Sequence, residues 1–470
     1  MPTTLLLALL AALPAGFEQE VPADSADGPA VMRADLERHL RFLASDELEG
    51  REAGTEGSRR AAAYLAEAFA AAGLAPGGDG GTFLQSMPAV LVEHRSAPRL
   101  LLTTRQGEEE EGVFGVDFNV VFRGPARSTE KLPIVRVLDE ADLPAQAQPD
   151  KALFFRSTPK QRTEWLNARG QGKGEGWGLD IELADAEEPG KPRTPPGRVA
   201  HFGEEPEDAC EVVFVRGRMR EALLWKGYES IQLLCDEVRT EVVESNVVAL
   251  LPGTDPELSK EVVLIQAAYD HLGAATTGPR SKQEDRIRNG ANAASAVAAL
   301  LEIAQERAAA ADNRRTLAFV LTTGTPKVLH GLGHFVEHPP FALERVVAAF
   351  PLDLLGVPDG ANDGAGKVWM SGFERSNLGS AFGEAGLAIS ADPYDRSVKR
   401  RGRGLLLQGK GILVHGFFCQ PSEWTDDLWE DEVEGIDFAH LETVTRSIDG
   451  AIALLARGEL APSPRKEARR

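Results

Sequence analysis

The chain has 470 residues, 43% of them hydrophobic, enough apolar material for at least one large core and a length suited to two or three domains. Lys and Arg total 51 against 72 for Asp and Glu, and a formal charge of -21 works against any extended footprint on a phosphate backbone, which excludes nucleic acid as an expected partner. Three cysteines, Cys210, Cys235 and Cys419, are too few for a disulfide framework. At most one bridge can form, Cys210 to Cys235, and three unpaired buried thiols are the other reading.

The opening residues MPTTLLLALLAALPAG give an apolar run from Leu5 to Leu13 followed by small residues at Ala15 and Gly16. Residues 1–16 therefore read as a signal peptide, although no Lys or Arg precedes the run, and the protein is expected to be secreted or periplasmic. The run is too short to span a bilayer, and no Cys follows it to carry a lipid. From Met32 to Leu74 the pattern is helix, polar turn, helix; Ala62, Leu65, Ala66, Phe69 and Ala72 recur at helical spacing, and Gly73 supplies a stop. The acidic run GEEEEG from Gly107 to Gly112 reads as a solvated loop. Residues 118–240 alternate short apolar runs with Gly- and Pro-rich loops, which predicts a small β-rich insert.

After Asn246 the runs SNVVALLPG, EVVLIQAAYD and RTLAFVLTTG have strand length, and ASAVAALLEIAQERAAAA between the last two reads as a helix. RVVAAFPLDLLG and GILVHGFFC follow, then a closing helix from Asp437 to Ala456 and a tail, 459–470, expected to be disordered. Strand and helix alternate as in an α/β protein with a mixed, mainly parallel sheet, built from 32–117 and 241–458.

Several stretches carry a recognisable pattern in order: LASDELEGREAGTEG, SNVVALLPGTDPEL, VVLIQAAYDHLG, NGANAASAVAALLEIA, RTLAFVLTTG, HFVEHPP, FPLDLLG and WTDD. Together they resemble metallopeptidase family 28, the zinc aminopeptidases of the aminopeptidase Y and bacterial leucyl aminopeptidase type. The resemblance implies a three-layer α/β/α fold, with 118–240 similar to a divergent protease-associated domain. It also implies two zinc ions held by two histidines, two aspartates and a glutamate, with a second glutamate as general base on a metal-bound water.

Most of those positions hold other residues here. The segment usually read as His-Tyr-Asp-His-Leu-Gly is Ala268-Tyr269-Asp270-His271-Leu272-Gly273, so the first ligand position holds Ala268. Asp270 matches the carboxylate that would orient the missing histidine. The bridging aspartate falls in Asn289-Gly290-Ala291-Asn292-Ala293, where one residue is missing and Asn292 is a neutral, weak donor. The glutamate pair becomes Thr325 at the general-base position and Pro326 at the adjacent ligand position; neither can do that work near neutral pH. Trp424 stands where the last histidine is expected. Asp353 in FPLDLLG is the single retained ligand position, and a lone carboxylate is not a zinc site.

His330, His334 and His338 recur every four residues and would share a helix face, but Gly331 and Gly333 weaken that helix, Pro339 follows it, and no Glu follows His330 to complete a His-Glu-x-x-His motif. No Gly-x-Ser-x-Gly elbow is present, and Cys419 sits in an apolar run. The expectation is an exported pseudopeptidase with no cofactor, which binds a peptide or protein through the old cleft or the insert. The alternative is a working hydrolase that recruits zinc through Asp270, His271 and Asp353, and a third reading is a scaffold subunit.

Overall fold

The computed structural model describes residues 31–121, 128–156, 159–170, 177–183, 198–202, 212–225, 227–274, 287–324, 329–362, 364–393, 403–419 and 431–465. Its first sheet is built around three parallel strands, Val346–Asp353, Val262–Ala268 and Thr316–Thr322. All seven residues of Val262–Ala268 are buried, as a strand covered on both faces requires. Glu237–Leu251, Leu84–His94 and Arg198–Phe202 extend one side antiparallel, and the short strands Phe417–Phe418, Val368–Met370 and Ile389–Ala391 extend the other.

The two-residue alternation of the strands sorts their side chains into separate cores. Val263, Ile265, Leu317, Phe319 and Phe350 pack with the helices Arg33–Leu43, Glu56–Ala71, Ala291–Ala310 and Phe438–Ala456. Val262, Leu264, Ala318 and Val320 face the other way, toward Leu332 and Phe335 of the helix His330–Glu337 and Leu407 of Arg403–Gly409. The result is the expected α/β fold with helices on both faces of a mixed sheet. The second helix follows its sequence signals: Thr55 caps its start by accepting from Ser58 N–H at 3.4 Å, and Gly73 follows its end at φ +76°.

A second, eight-stranded sheet has its own core, including Leu100, Phe118, Phe154, Ile181, Val213 and Ile231. Its strands run from Arg99–Thr104 to Tyr228–Leu234. Two of them, Arg99–Thr104 and Glu109–Gly112, precede residue 118, while Arg198–Phe202, inside 118–240, joins the first sheet. The acidic run is therefore not a loop: Glu109–Gly112 is an edge strand, with Glu111 paired to Arg99 at 2.7 Å and Glu109 to Lys131 at 2.9 Å, so cations on neighbouring elements neutralise its charge.

The tail expected to be disordered is instead built onto the first domain as far as Arg465. Ser376 pairs with Pro464, and Asn377 N–H donates to Ser463 O at 3.1 Å. Residues 1–16 and Cys210 lie outside the described residues, and with them the signal peptide and the Cys210 to Cys235 bridge. Cys419 is a buried thiol whose pKa burial pushes up. Among the described residues no helix is long and apolar enough to cross a membrane.

Candidate functional site

The three parallel strands end together, at the sheet edge where open α/β folds place their ligands. Ala268 pairs with Thr322, and Gln266 pairs with Pro351, a register that two residues further on sets Asp353 level with Ala268. The helix Ala291–Ala310 begins at the same end, bringing Asn292 to the group. The fold thus gathers four of the sequence landmarks, those at 268–271, 292, 322–324 and 353. Thr325, Pro326 and Trp424 lie outside the described residues.

Among these positions, Asn292 ties neighbouring elements together. Asn292 is 1% exposed, and its side-chain oxygen accepts from Gly356 N–H at 2.9 Å while its backbone N–H donates to Asp431 Oδ1 at 2.8 Å. One turn on, Ser295 Oγ accepts from Leu355 N–H at 2.9 Å and donates to Asn292 O at 2.5 Å. The start of this helix is therefore tied to the loop that follows Asp353, a loop turned by Leu354 at φ +47°. Ala268 contributes a nearly buried methyl group.

His271 lies beyond the end of the strand Val262–Ala268 and forms an isolated bridge with Glu52. Its ring is 7% exposed and Nδ1 lies 3.1 Å from Arg288 O. A carbonyl only accepts, so Nδ1 carries the proton and Nε2 the lone pair in the neutral ring. Burial, reinforced by the Arg51 charge and opposed by Asp353, lowers the pKa of His271 to about 4, and the ring is neutral at neutral pH. Gly290, at φ +61°, makes room for it: a Cβ there would sit 2.4 Å from the ring.

Two residues that the sequence reading did not single out organise this end of the sheet. Arg51 is 1% exposed; its Nε donates to Tyr269 O at 2.8 Å, and its other nitrogens donate to the carbonyls of Asn289, at 2.8 Å, Gly290 and Leu43. Burial lowers its pKa to about 10 against the pull of Asp270 and Asp431. Glu244, also 1% exposed, accepts from Ser58 Oγ at 2.7 Å and Thr323 Oγ1 at 3.3 Å, and burial raises its carboxyl pKa. Arg51 stands inside the N-terminal signature, so a signal for it existed. Glu244 shares its strand with Glu237 and Glu241, and nothing in its neighbourhood of sequence sets it apart for a buried role.

The histidine trio is only partly helical. The helix ends at Glu337, so His338 lies past its last turn, with its ring 4.7 Å from that of His334. Desolvation lowers the pKa of His330 and His334, and for His334 the neighbouring His338 adds to it.

The donors at the described positions do not fit a two-zinc centre. Position 268 offers a methyl, the oxygen of Asn292 is committed to Gly356, and among the described residues no group of three or more His, Cys, Asp or Glu side chains is placed to hold a metal ion. Asp270 is 3% exposed and Asp353 half-buried, both at the strand ends.

The comparisons with known proteins agree on the scaffold. Residues 246–394 match the model of peptidase family M28. No curated protein matches the chain by sequence. An aminopeptidase from Aneurinibacillus sp. strain AM-1 shares the fold at a TM-score of 0.59 with 17% identity, over 94% of this chain and 98% of that one. BSAP, a zinc aminopeptidase from Bacillus subtilis, does so at a TM-score of 0.50 with 15% identity, over 92% and 97% of the two chains. The match to peptidase family M28 thus covers residues 246–394, and the fold shared with these two aminopeptidases covers more than nine-tenths of the chain.

Proposed function

We propose that this protein is an exported, catalytically inactive relative of the zinc aminopeptidases that binds a peptide or a protein partner through the strand-end cleft or the second sheet, the latter a divergent protease-associated domain. The observation that carries this reading is the bond from Gly356 N–H to Asn292 Oδ1. The residue at the metal-bridging position is neutral and spends its oxygen on the backbone, where the family chemistry needs a carboxylate shared by two cations. Ala268 removes the adjacent ligand, and Asp353 alone is left. Thr325, Pro326 and Trp424 extend the same loss by residue type: no base, no ligand atom, and an indole for an imidazole.

The test is zinc content measured on protein purified with excess zinc, together with turnover of aminoacyl-arylamide substrates. The expected result is substoichiometric zinc and no turnover. Zinc near stoichiometry with turnover would sink the reading.

A second reading keeps metal at the site through Asp270, His271 and Asp353, side chains that do not form a ligand group in this structure and would have to converge on binding. One observation favours it: His271 is a neutral ring whose Nδ1–H is fixed on a backbone carbonyl, the arrangement that prepares Nε2 as a ligand, and it lies within the field of Asp353. On this reading His271→Ala and Asp353→Asn each remove bound zinc.

A further inference from the structure

We propose that His334 and His338 form a two-imidazole site for a divalent transition-metal ion of the copper, nickel or zinc class, at the end of the helix His330–Glu337. The two rings stand with their centres 4.7 Å apart and their planes tilted by 53°. Two imidazoles on one ion, each ligating through a nitrogen at about 2.0–2.1 Å, place their ring centres about 4.5–5.2 Å apart for ligand angles of about 90–110°. The pair therefore already has the separation of a chelate. His334 is half-buried and His338 exposed, and no ring nitrogen of either makes a hydrogen bond or an ion pair with another described residue. Each neutral ring keeps one nitrogen lone pair for a ligand.

The backbone holds the rings in place although His338 lies past the helix. Its N–H donates to His334 O at 2.8 Å, and its carbonyl accepts from Gln85 Nε2 at 2.6 Å. Gln85 Oε1 accepts from Asn246 Nδ2 at 2.9 Å, and Asn246 also donates to Gly331 O at 2.8 Å. An ion on the two rings thus braces the helix against the strands that carry Gln85 and Asn246. Desolvation, with His338 adding to it, lowers the pKa of His334 against the pull of Asp79 and Glu337. The ring is neutral at neutral pH, and two carboxylates act on it that favour an incoming cation. Water completes the shell, since no third His, Cys, Asp or Glu joins the pair among the described residues. Imidazole and water suit copper best, nickel and zinc less.

The test titrates copper(II), nickel(II) and zinc chloride into the untagged, metal-free full chain by calorimetry, and records the electron paramagnetic resonance of the protein with one equivalent of copper. The expected result is one copper per chain, weaker nickel and zinc, and hyperfine structure from two imidazole nitrogens. His334→Gln and His338→Gln should each lower copper affinity by about tenfold or more and remove the two-nitrogen signature. Unfolding midpoints without metal show that the variants are folded; should one not fold, the other decides. No copper binding by the wild type, or binding and spectrum unchanged in either histidine variant, would overturn the proposal. His271→Ala, which removes zinc if the strand ends hold it, should leave this copper binding unchanged, so the two sites fail separately.

Discussion

The side chain of Asn292 accepts the backbone N–H of Gly356 at 2.9 Å, joining the first turn of the central helix to the loop that leaves Asp353. The side chain of Asn292 thus fastens two elements together.

Asn292→Ala should therefore destabilise the protein without altering any activity. It leaves Gly356 N–H buried without a partner and opens a small cavity, at a cost of about 2 kcal/mol. Urea unfolding would read this as a lower midpoint at unchanged slope; an unchanged midpoint would mean that the bond contributes nothing.

Gly290→Ala should cost about 2–3 kcal/mol, since the new methyl meets the His271 ring at 2.4 Å in a backbone conformation that disfavours side chains. In a double-mutant cycle with His271→Ala, part of that cost should disappear. Strict additivity would show that the two residues do not press on each other.

Acid should weaken the fold through its buried imidazoles. His271 and His415 both have folded pKa values lowered to about 4 by burial, against 6.5 in the unfolded chain. Between these values the unfolded state binds more protons, so stability present above pH 6.5 is lost as pH falls toward 4, by up to about 1.4 kcal/mol per pH unit for each ring. Asp449, raised to about 6 by burial, acts in the opposite sense and offsets one of them. His271→Asn keeps a donor for Arg288 O but cannot titrate, and unfolding measured across this window should show a shallower acid limb. An identical limb would remove His271 from the account.

Restoring Ala268→His, Thr325→Glu, Pro326→Glu and Trp424→His together should give weak zinc binding at best, measured by calorimetry, because Asn292 and the shortened segment before it remain. Tight binding by this variant would show that the bridging position is dispensable.

The strands and helices of the first domain were legible because their residues obey simple periods. The run VVLIQAA could only be a doubly covered strand, and the alanine-rich stretch after Asn292 only a buried helix. The donor atoms available at 268 and 292 were equally legible, since a residue type fixes which donor atoms exist at all. The end of the strand at Ala268 is not marked by the residues that follow it, and the acidic run reads as a loop because its neutralising partners, Arg99 and Lys131, lie on or beside other strands.

By itself, then, the sequence determined the scaffold and which donor atoms stand at each position, because both follow from local pattern and side-chain identity. Only the tertiary structure decided what those side chains touch. The Asn292 bond to Gly356, the four carbonyls gathered by Arg51 and the placement of Asn289 between Asp46 and Glu432 join residues far apart in the chain. Such contacts depend on how the packed elements aim their backbone groups, which no local period encodes.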